Sequence, residues 1–221
     1  MADMRTIKVT GKGKISVKPD MTRLTITLEG TCKDYGLTLK RTSEDTEKLR
    51  DLVGGLKFKK EDLKTINFNV DTDYESYEED GVYKQRFTGY RYIHVLKLEF
   101  DSDNERLGQL LFALAASDLH PEFRISYTVK DREAAKNELL GNAVKDAAEK
   151  AKILADAAGV TLKEIRNINY SWGEIDLDVH PMNLMCERSM KIAPAAGAFD
   201  LNIEPDDIEV SDTVTVVWEI A

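Results

Sequence analysis

Only two cysteines occur in 221 residues, too few for a scaffold held by disulfides. Cys32 and Cys186 lie far apart in the chain and read as reduced thiols. The three histidines, His94, His120 and His180, fall in a strand, a turn and a loop, and their spacing groups none of them. Neither Gly-x-Ser-x-Gly nor His-Glu-x-x-His is present, so the sequence offers no nucleophile elbow and no zinc-protease helix. No apolar run approaches the ~20 residues that span a bilayer, so no transmembrane segment is expected. The opening Met-Ala-Asp-Met-Arg-Thr lacks the apolar stretch of a secretion leader. The expectation is therefore a cytoplasmic protein, or a periplasmic one if a leader is cleaved ahead of the first residue. Positive charge is also in deficit: 31 Lys and Arg stand against 40 Asp and Glu, a formal net charge of −9. An acidic surface repels phosphate backbones, and the densest basic stretch, 57–64, is interrupted by Glu61 and Asp62. Nucleic acid is not an expected partner.

What is present suits an ordinary soluble chain, with 42% hydrophobic and 32% charged residues. A single domain over 1–221 is expected, burying roughly 70–75% of its unfolded surface. Ile7, Val9, Ile15 and Val17 alternate around Gly11 and Gly13, which predicts an edge strand bent or bulged at its glycines. Leu24, Ile26 and Leu28 make a second, half-buried strand. A helix is predicted over 33–56, its inner face carrying Leu39, Thr46, Leu49, Val53 and Leu56. Two alternating runs, 66–74 and 90–100, flank Asp80-Gly81, a strong hairpin turn. They predict a long protruding hairpin with an acidic, tyrosine-bearing tip over 71–83. Ser102-Asp-Asn-Glu105 reads as a capping box for a second helix, which Pro121 ends. After a strand at 123–129, Asp131 caps the longest helix. Its predicted inner stripe is Leu140, Ala143, Ala147, Ala151, Leu154 and Ala158, and Gly159 stops it. Strands follow at 162–172 and 208–220, separated by an irregular loop at 176–202. The order β β α β β α β α β (loop) β predicts an α+β fold: a mostly antiparallel sheet with three helices packed on one side.

Four stretches resemble chemical motifs. Gly11-Lys-Gly-Lys14 lacks the Gly-Lys-Ser/Thr ending of a phosphate loop and no helix follows it. Asp101-Ser-Asp-Asn-Glu105 opens like a calcium loop, but its glycine is misplaced. The hairpin acids Asp71, Asp73, Glu75, Glu78, Glu79 and Asp80 alternate to opposite faces and do not converge on a cation. Met182, Met185, Cys186 and Met190, near His180, form the only soft-ligand cluster, which suits Cu(I) or an adaptable apolar contact.

The residues Val9-Thr-Gly-Lys-Gly13 through Pro19-Asp20, Gly89-Tyr-Arg-Tyr92, the Ala- and Lys-rich helix from Ala134 to Gly159, and Ile203-Glu-Pro205 through Val214-Thr-Val216 occur in order along the chain. In that ordered set the chain resembles the SIMPL-domain family. That family includes bacterial periplasmic immunogenic proteins and a eukaryotic protein that binds a kinase in inflammatory signalling. The resemblance implies an α+β fold and self-assembly, since some bacterial members form large ring-like or channel-like oligomers. It implies no catalytic residue and no cofactor.

The reading is a non-enzymatic assembly or protein-interaction module, a homo-oligomer or the binder of a protein partner. Contact is expected at sheet edges, at Tyr74, Tyr77, Glu78 and Tyr83 of the hairpin, and at Met182 and Met185 of the loop. Two alternatives stay open. One is a small-molecule binder or enzyme with a pocket under 176–202, lined by Tyr170, Trp172, Met182 and Met185. The other is soft-metal binding at Met182, Met185, Cys186 and Met190.

Overall fold

The computed structural model describes residues 5–170, 175–179 and 203–221. In chain order the elements are β1 (Thr6–Val17), β2 (Met21–Cys32), α1 (Tyr35–Gly55), β3 (Lys64–Glu79) and β4 (Val82–Asp101). They continue with α2 (Asn104–Ala115), β5 (Glu122–Thr128), α3 (Arg132–Ala158), β6 (Leu162–Tyr170) and β7 (Ile208–Ile220). The α+β class is as expected, but the strands form two sheets, and the helices are divided between them. One sheet has the order β1-β7-β6 and the other β3-β4-β2-β5. The described residues accordingly fall into two compact units, one of 5–20, 128–170, 175–179 and 205–221, the other of 21–127 with 203–204.

In the first unit, β1 and β7 pair without interruption from Thr6↔Glu219 to Val17↔Ile208. Gly11 and Gly13 therefore make no bulge. Their role is to admit α3. A Cβ on Gly11 would lie 2.1 Å from the Ala143 carbonyl oxygen and 2.4 Å from the Ala147 nitrogen. On Gly13 it would lie 2.2 Å from the Leu139 carbonyl oxygen. The buried stripe of α3 is Ala135, Leu139, Ala143, Ala147, Ala151 and Ala155, a strict four-residue row. This replaces Leu140, Leu154 and Ala158 of the predicted stripe, and Leu154 is 48% exposed. Alanine rows let the helix come to backbone contact, and only the row facing the two glycines can do so. The seam is closed by hydrogen bonds: the Lys12 amide donates to Asp146 Oδ2 at 2.6 Å, and Asn142 Nδ2 donates to the Lys14 carbonyl at 3.2 Å. Two edge groups of β1, the Lys12 amide and the Lys14 carbonyl, are thereby satisfied by helix side chains. Val9, Val214, Val216 and Trp218 fill the core under α3. Leu177 anchors the short segment 175–179 in a second cluster with Ile15, Leu139 and Ile208. Its carbonyl accepts from Thr128 Oγ1 at 3.1 Å, and Arg132 pairs with Asp178.

In the second unit, α1 and α2 cover the four-stranded sheet. Leu24, Ile26, Leu49, Leu96, Leu98, Leu107 and Leu110 are completely buried in one cluster, each contributing roughly 1.5–3 kcal/mol. The buried stripe of α1 is Thr38, Thr42, Thr46, Leu49 and Val53. Leu39, predicted to face inward, is 40% exposed. Threonine is tolerated here because each hydroxyl donates to the carbonyl four residues back: Thr38 to Asp34, Thr42 to Thr38 and Thr46 to Thr42, at 2.7–2.9 Å. Helix α2 is capped by Asp103, whose carboxylate accepts from the Arg106 amide at 3.0 Å, not by Ser102. Asp131 caps α3 and Gly159 ends it in the left-handed conformation, both as expected. The hairpin is as predicted. Asp80 and Gly81 have φ of 53° and 76°, a two-residue turn with left-handed geometry at both positions.

Candidate functional site

Among the described residues, the distal half of the β3–β4 hairpin stands out as exposed along nearly its whole length. Pairing runs from Thr72↔Tyr90 to Glu79↔Val82, with an irregularity between Asp73 and Tyr74. Almost every residue of this arm is exposed, on both faces. The irregularity brings aromatic rings into one ladder. Tyr74 meets Phe87 at 5.7 Å, Phe87 meets Tyr90 at 5.4 Å, and Tyr90 meets Tyr35 of α1 at 5.4 Å, all edge to face. Edge-to-face pairs hold an exposed ribbon rigid beyond what area burial provides. Tyr74, Phe87 and Tyr35 remain about half exposed, and Tyr83 at the tip is 78% exposed.

Carboxylates line the same arm. Arg86 pairs with Glu75 and also lies over the Tyr77 ring, Lys84 pairs with Glu79, and Arg91 pairs with Glu29. Asp71 accepts from the Asn69 side chain at 2.6 Å and Asp73 from the Thr88 hydroxyl at 3.0 Å. Among the described residues, Asp71, Asp73, Glu78 and Asp80 form no close ion pair, though the pKa of Arg91 is raised by its hydrogen bond to Glu29 and also by the charge of Asp73.

The structure therefore brings Tyr74 into a cluster, sets Tyr77 under a guanidinium, and places Glu78 directly across from Tyr83. Sequence reading missed Phe87, Tyr90 and Tyr35. The signal available was Gly89, whose bulge lets Phe87 and Tyr90 share a face. Met182, Met185, Cys186, Met190 and Trp172 lie outside the described residues.

Two further groups sit on α1. His94 of β4 is buried between two hydroxyls, with Nδ1 3.0 Å from Thr46 Oγ1 and Nε2 2.9 Å from Thr65 Oγ1. The Thr46 hydrogen is already given to the Thr42 carbonyl. Thr46 must therefore accept, so His94 carries its proton on Nδ1 and its Nε2 accepts from Thr65. Burial lowers the His94 pKa, and the neighbouring Arg50 lowers it further. A groove of about 410 Å³ opens beside it, lined by Leu39, Thr42, Phe68, Glu47 and Arg50. In the unfolded chain the imidazole titrates near 6.5, above its folded value, so the unfolded state takes up the proton first. Stability is fully present above that value and is lost as pH falls below it. Denaturant unfolding at pH about 7.5 and about 5 is expected to show this fall, and a smaller one in His94→Gln. Equal falls in both proteins would remove His94 as its source.

The second group links Tyr92, Asp45, Arg41 and Cys32. The fully buried Tyr92 hydroxyl donates to Asp45 Oδ2 at 2.6 Å, and burial with that bond raises its pKa. Arg41 lies 3.5 Å from Asp45 and against the free thiol of Cys32, its pKa raised first by that thiol contact. This group ties the end of β2 to α1.

Among the described residues, no three His, Cys, Asp or Glu side chains converge to hold a metal ion. No helix among them is long and apolar enough to cross a membrane. A family model, SIMPL, described as a protein of unknown function (DUF541), matches residues 7–218. The chain belongs to the SIMPL family. The match runs from the first residues of β1 almost to the end of β7. The chain is also 23% identical to the uncharacterized protein YggE of Edwardsiella ictaluri, over 97% of its own length and 87% of that protein's. It is 25% identical to the 26 kDa periplasmic immunogenic protein of Brucella melitensis, over 97% and 84% of the two chains. A Brucella abortus protein of the same description matches at the same identity and coverage. The SIMPL match takes in both units, including the Gly11/Gly13 seam and the β3–β4 arm.

Proposed function

We propose that this SIMPL protein is a non-enzymatic interaction module whose working surface is the β3–β4 arm, used for self-association or for capture of a protein partner. The observation that carries the reading is the aromatic ladder Tyr74–Phe87–Tyr90–Tyr35, held in fixed geometry yet about half open to solvent. Rigid aromatics lose little conformational entropy on contact, which is why they dominate the energetics of interfaces. The surrounding carboxylates keep the bare ribbon from adding strands to its edge at random.

The test is Tyr74→Ser/Tyr83→Ser/Phe87→Ser, confirmed as folded by circular dichroism. Sedimentation velocity at micromolar concentration is expected to show association in the native chain, weakened at least about tenfold in the variant. A native chain that sediments as a strict monomer and retains no partner in a pull-down ends this reading.

A further inference from the structure

The helix-covered face of the four-stranded sheet is left open at its β3 edge. Phe68 of β3 stands directly across from His94 of β4, so the two side chains share the face on which α1 lies. His94 is buried, yet Phe68 is 46% exposed. The groove of about 410 Å³ lies here, walled by Phe68 on one side and Leu39 of α1 on the other, with Thr42, Thr46, Thr65 and His94 as its polar lining. Every lining residue belongs to the unit of 21–127. Hydrogen bonding makes that polar lining one-sided. The Thr42 hydroxyl gives its hydrogen to the Thr38 carbonyl at 2.9 Å, and Thr46 gives its own to the Thr42 carbonyl at 2.7 Å. Thr65 gives its hydrogen to His94 Nε2 at 2.9 Å, and His94 Nδ1 gives its proton to Thr46 at 3.0 Å. A hydroxyl has one hydrogen and two lone pairs. Every hydrogen of this set is therefore committed, while among the described residues no donor reaches the lone pairs of Thr42 or Thr65. The mouth carries Glu47 and Arg50, which pair at 2.6 Å and offset each other's charge.

We infer that this groove is a binding site for a small neutral aromatic molecule that carries one O–H or N–H donor, a phenol or an indole in chemical type. Its ring would lie between Leu39 and Phe68, and its donor would meet the open lone pairs of Thr42 or Thr65. A cavity of this size, with apolar walls and a few converging polar groups, has the ordinary form of a small-molecule site. The one-sided lining sets the choice of ligand. A molecule whose only polar group is an acceptor would bring lone pair against lone pair and leave both unsatisfied. A carboxylate meets the same obstacle inside, and at the mouth it would have to displace Glu47 from Arg50. An ammonium would be repelled by Arg50. Burial lowers the His94 pKa, so the imidazole stays neutral near pH 7 and its Nε2 keeps the Thr65 hydrogen turned away from the ligand. The groove shares no residue with the ladder Tyr74–Phe87–Tyr90–Tyr35 and does not depend on the reading of the arm.

The test titrates the full-length chain with indole and with 1-methylindole, followed by ligand-observed NMR up to about 5 mM, a range suited to so small a ligand. The two probes differ in the donor hydrogen, which a methyl group replaces in the second. Benzoate and benzylamine are the anionic and cationic controls. Indole is expected to bind at least about tenfold more tightly than 1-methylindole and than either control. Leu39→Glu, at a 40% exposed position, is expected to keep the native melting temperature and to weaken indole at least about tenfold. Thr42→Val/Thr65→Val removes the accepting oxygens and is expected to bring the two indoles to within about twofold of each other. The probe series on the native chain requires no variant to fold, and it decides the matter where the double variant unfolds. Absence of indole binding, equal affinity for the two indoles in the native chain, or tighter binding of benzoate or benzylamine overturns the donor-selective site. Undiminished indole binding by folded Leu39→Glu, or undiminished discrimination by folded Thr42→Val/Thr65→Val, overturns its placement in this groove.

Discussion

Gly11→Ala is expected to lower the unfolding free energy by about 3 kcal/mol, at the upper end of the cost of overpacking. The added methyl would meet main-chain atoms of α3, the Ala143 carbonyl and the Ala147 nitrogen, not the tip of a side chain that could swing away. Relief requires the whole helix to lift from β1. Lifting stretches the Lys12–Asp146 and Asn142–Lys14 hydrogen bonds and opens the alanine row to water. Gly13→Ala meets Leu139 and Ala143 in the same way, so the double variant is expected to lose the cooperative transition of the first unit. The effects of neighbours on one seam are coupled, not additive. Urea unfolding in a Trp172→Phe background, followed by the fluorescence of the remaining Trp218, reads this unit directly. A Gly11→Ala midpoint within error of the native value would show that α3 does not sit in backbone contact with β1.

Gly89→Ala is the second large effect, also expected at about 3 kcal/mol, from backbone strain and steric conflict together. Gly89 has φ of 149°, a conformation L side chains rarely adopt, and its Cβ would lie 2.3 Å from the Cys32 carbonyl oxygen. It sits where the β3–β4 register shifts, between Asp73↔Gly89 and Tyr74↔Phe87. Straightening that shift turns Phe87 away from Tyr90 and breaks the ladder. The variant should therefore lose near-UV tyrosine ellipticity as well as stability. If Gly89→Ala melts at the native temperature with its aromatic signal intact, the bulge does not set the ladder.

Much of this molecule is legible one element at a time. Asp80-Gly81 demands a two-residue hairpin turn. Asp131 and Gly159 mark the ends of α3 through their capping chemistry, and alternation along 66–74 and 90–100 predicts the strands. These are local properties, carried by a few neighbouring residues. The candidate site was half legible. Tyr74, Tyr77, Glu78 and Tyr83 follow from the exposed hairpin. Phe87 and Tyr35 do not, because their place in the ladder depends on a register shift and on where α1 begins. His94 looked isolated because its partners, Thr46 and Thr65, come from two other elements.

The sequence by itself determined the α+β class, the hairpin, the capped helices and the membership in a family whose pattern spans both ends of the chain. Each of those rests on periodicity, turn chemistry or ordered motifs, which need no knowledge of distant contacts. Only the tertiary structure decided that the strands divide into two sheets, that Thr38 and Thr42 rather than Leu39 face the core, and that Gly11 and Gly13 serve a helix. The reason is steric. A missing Cβ has the same appearance in the sequence whether it admits a bulge or a distant helix, and only the packed chain shows that a Cβ on Gly11 would lie 2.1 Å from the Ala143 carbonyl oxygen.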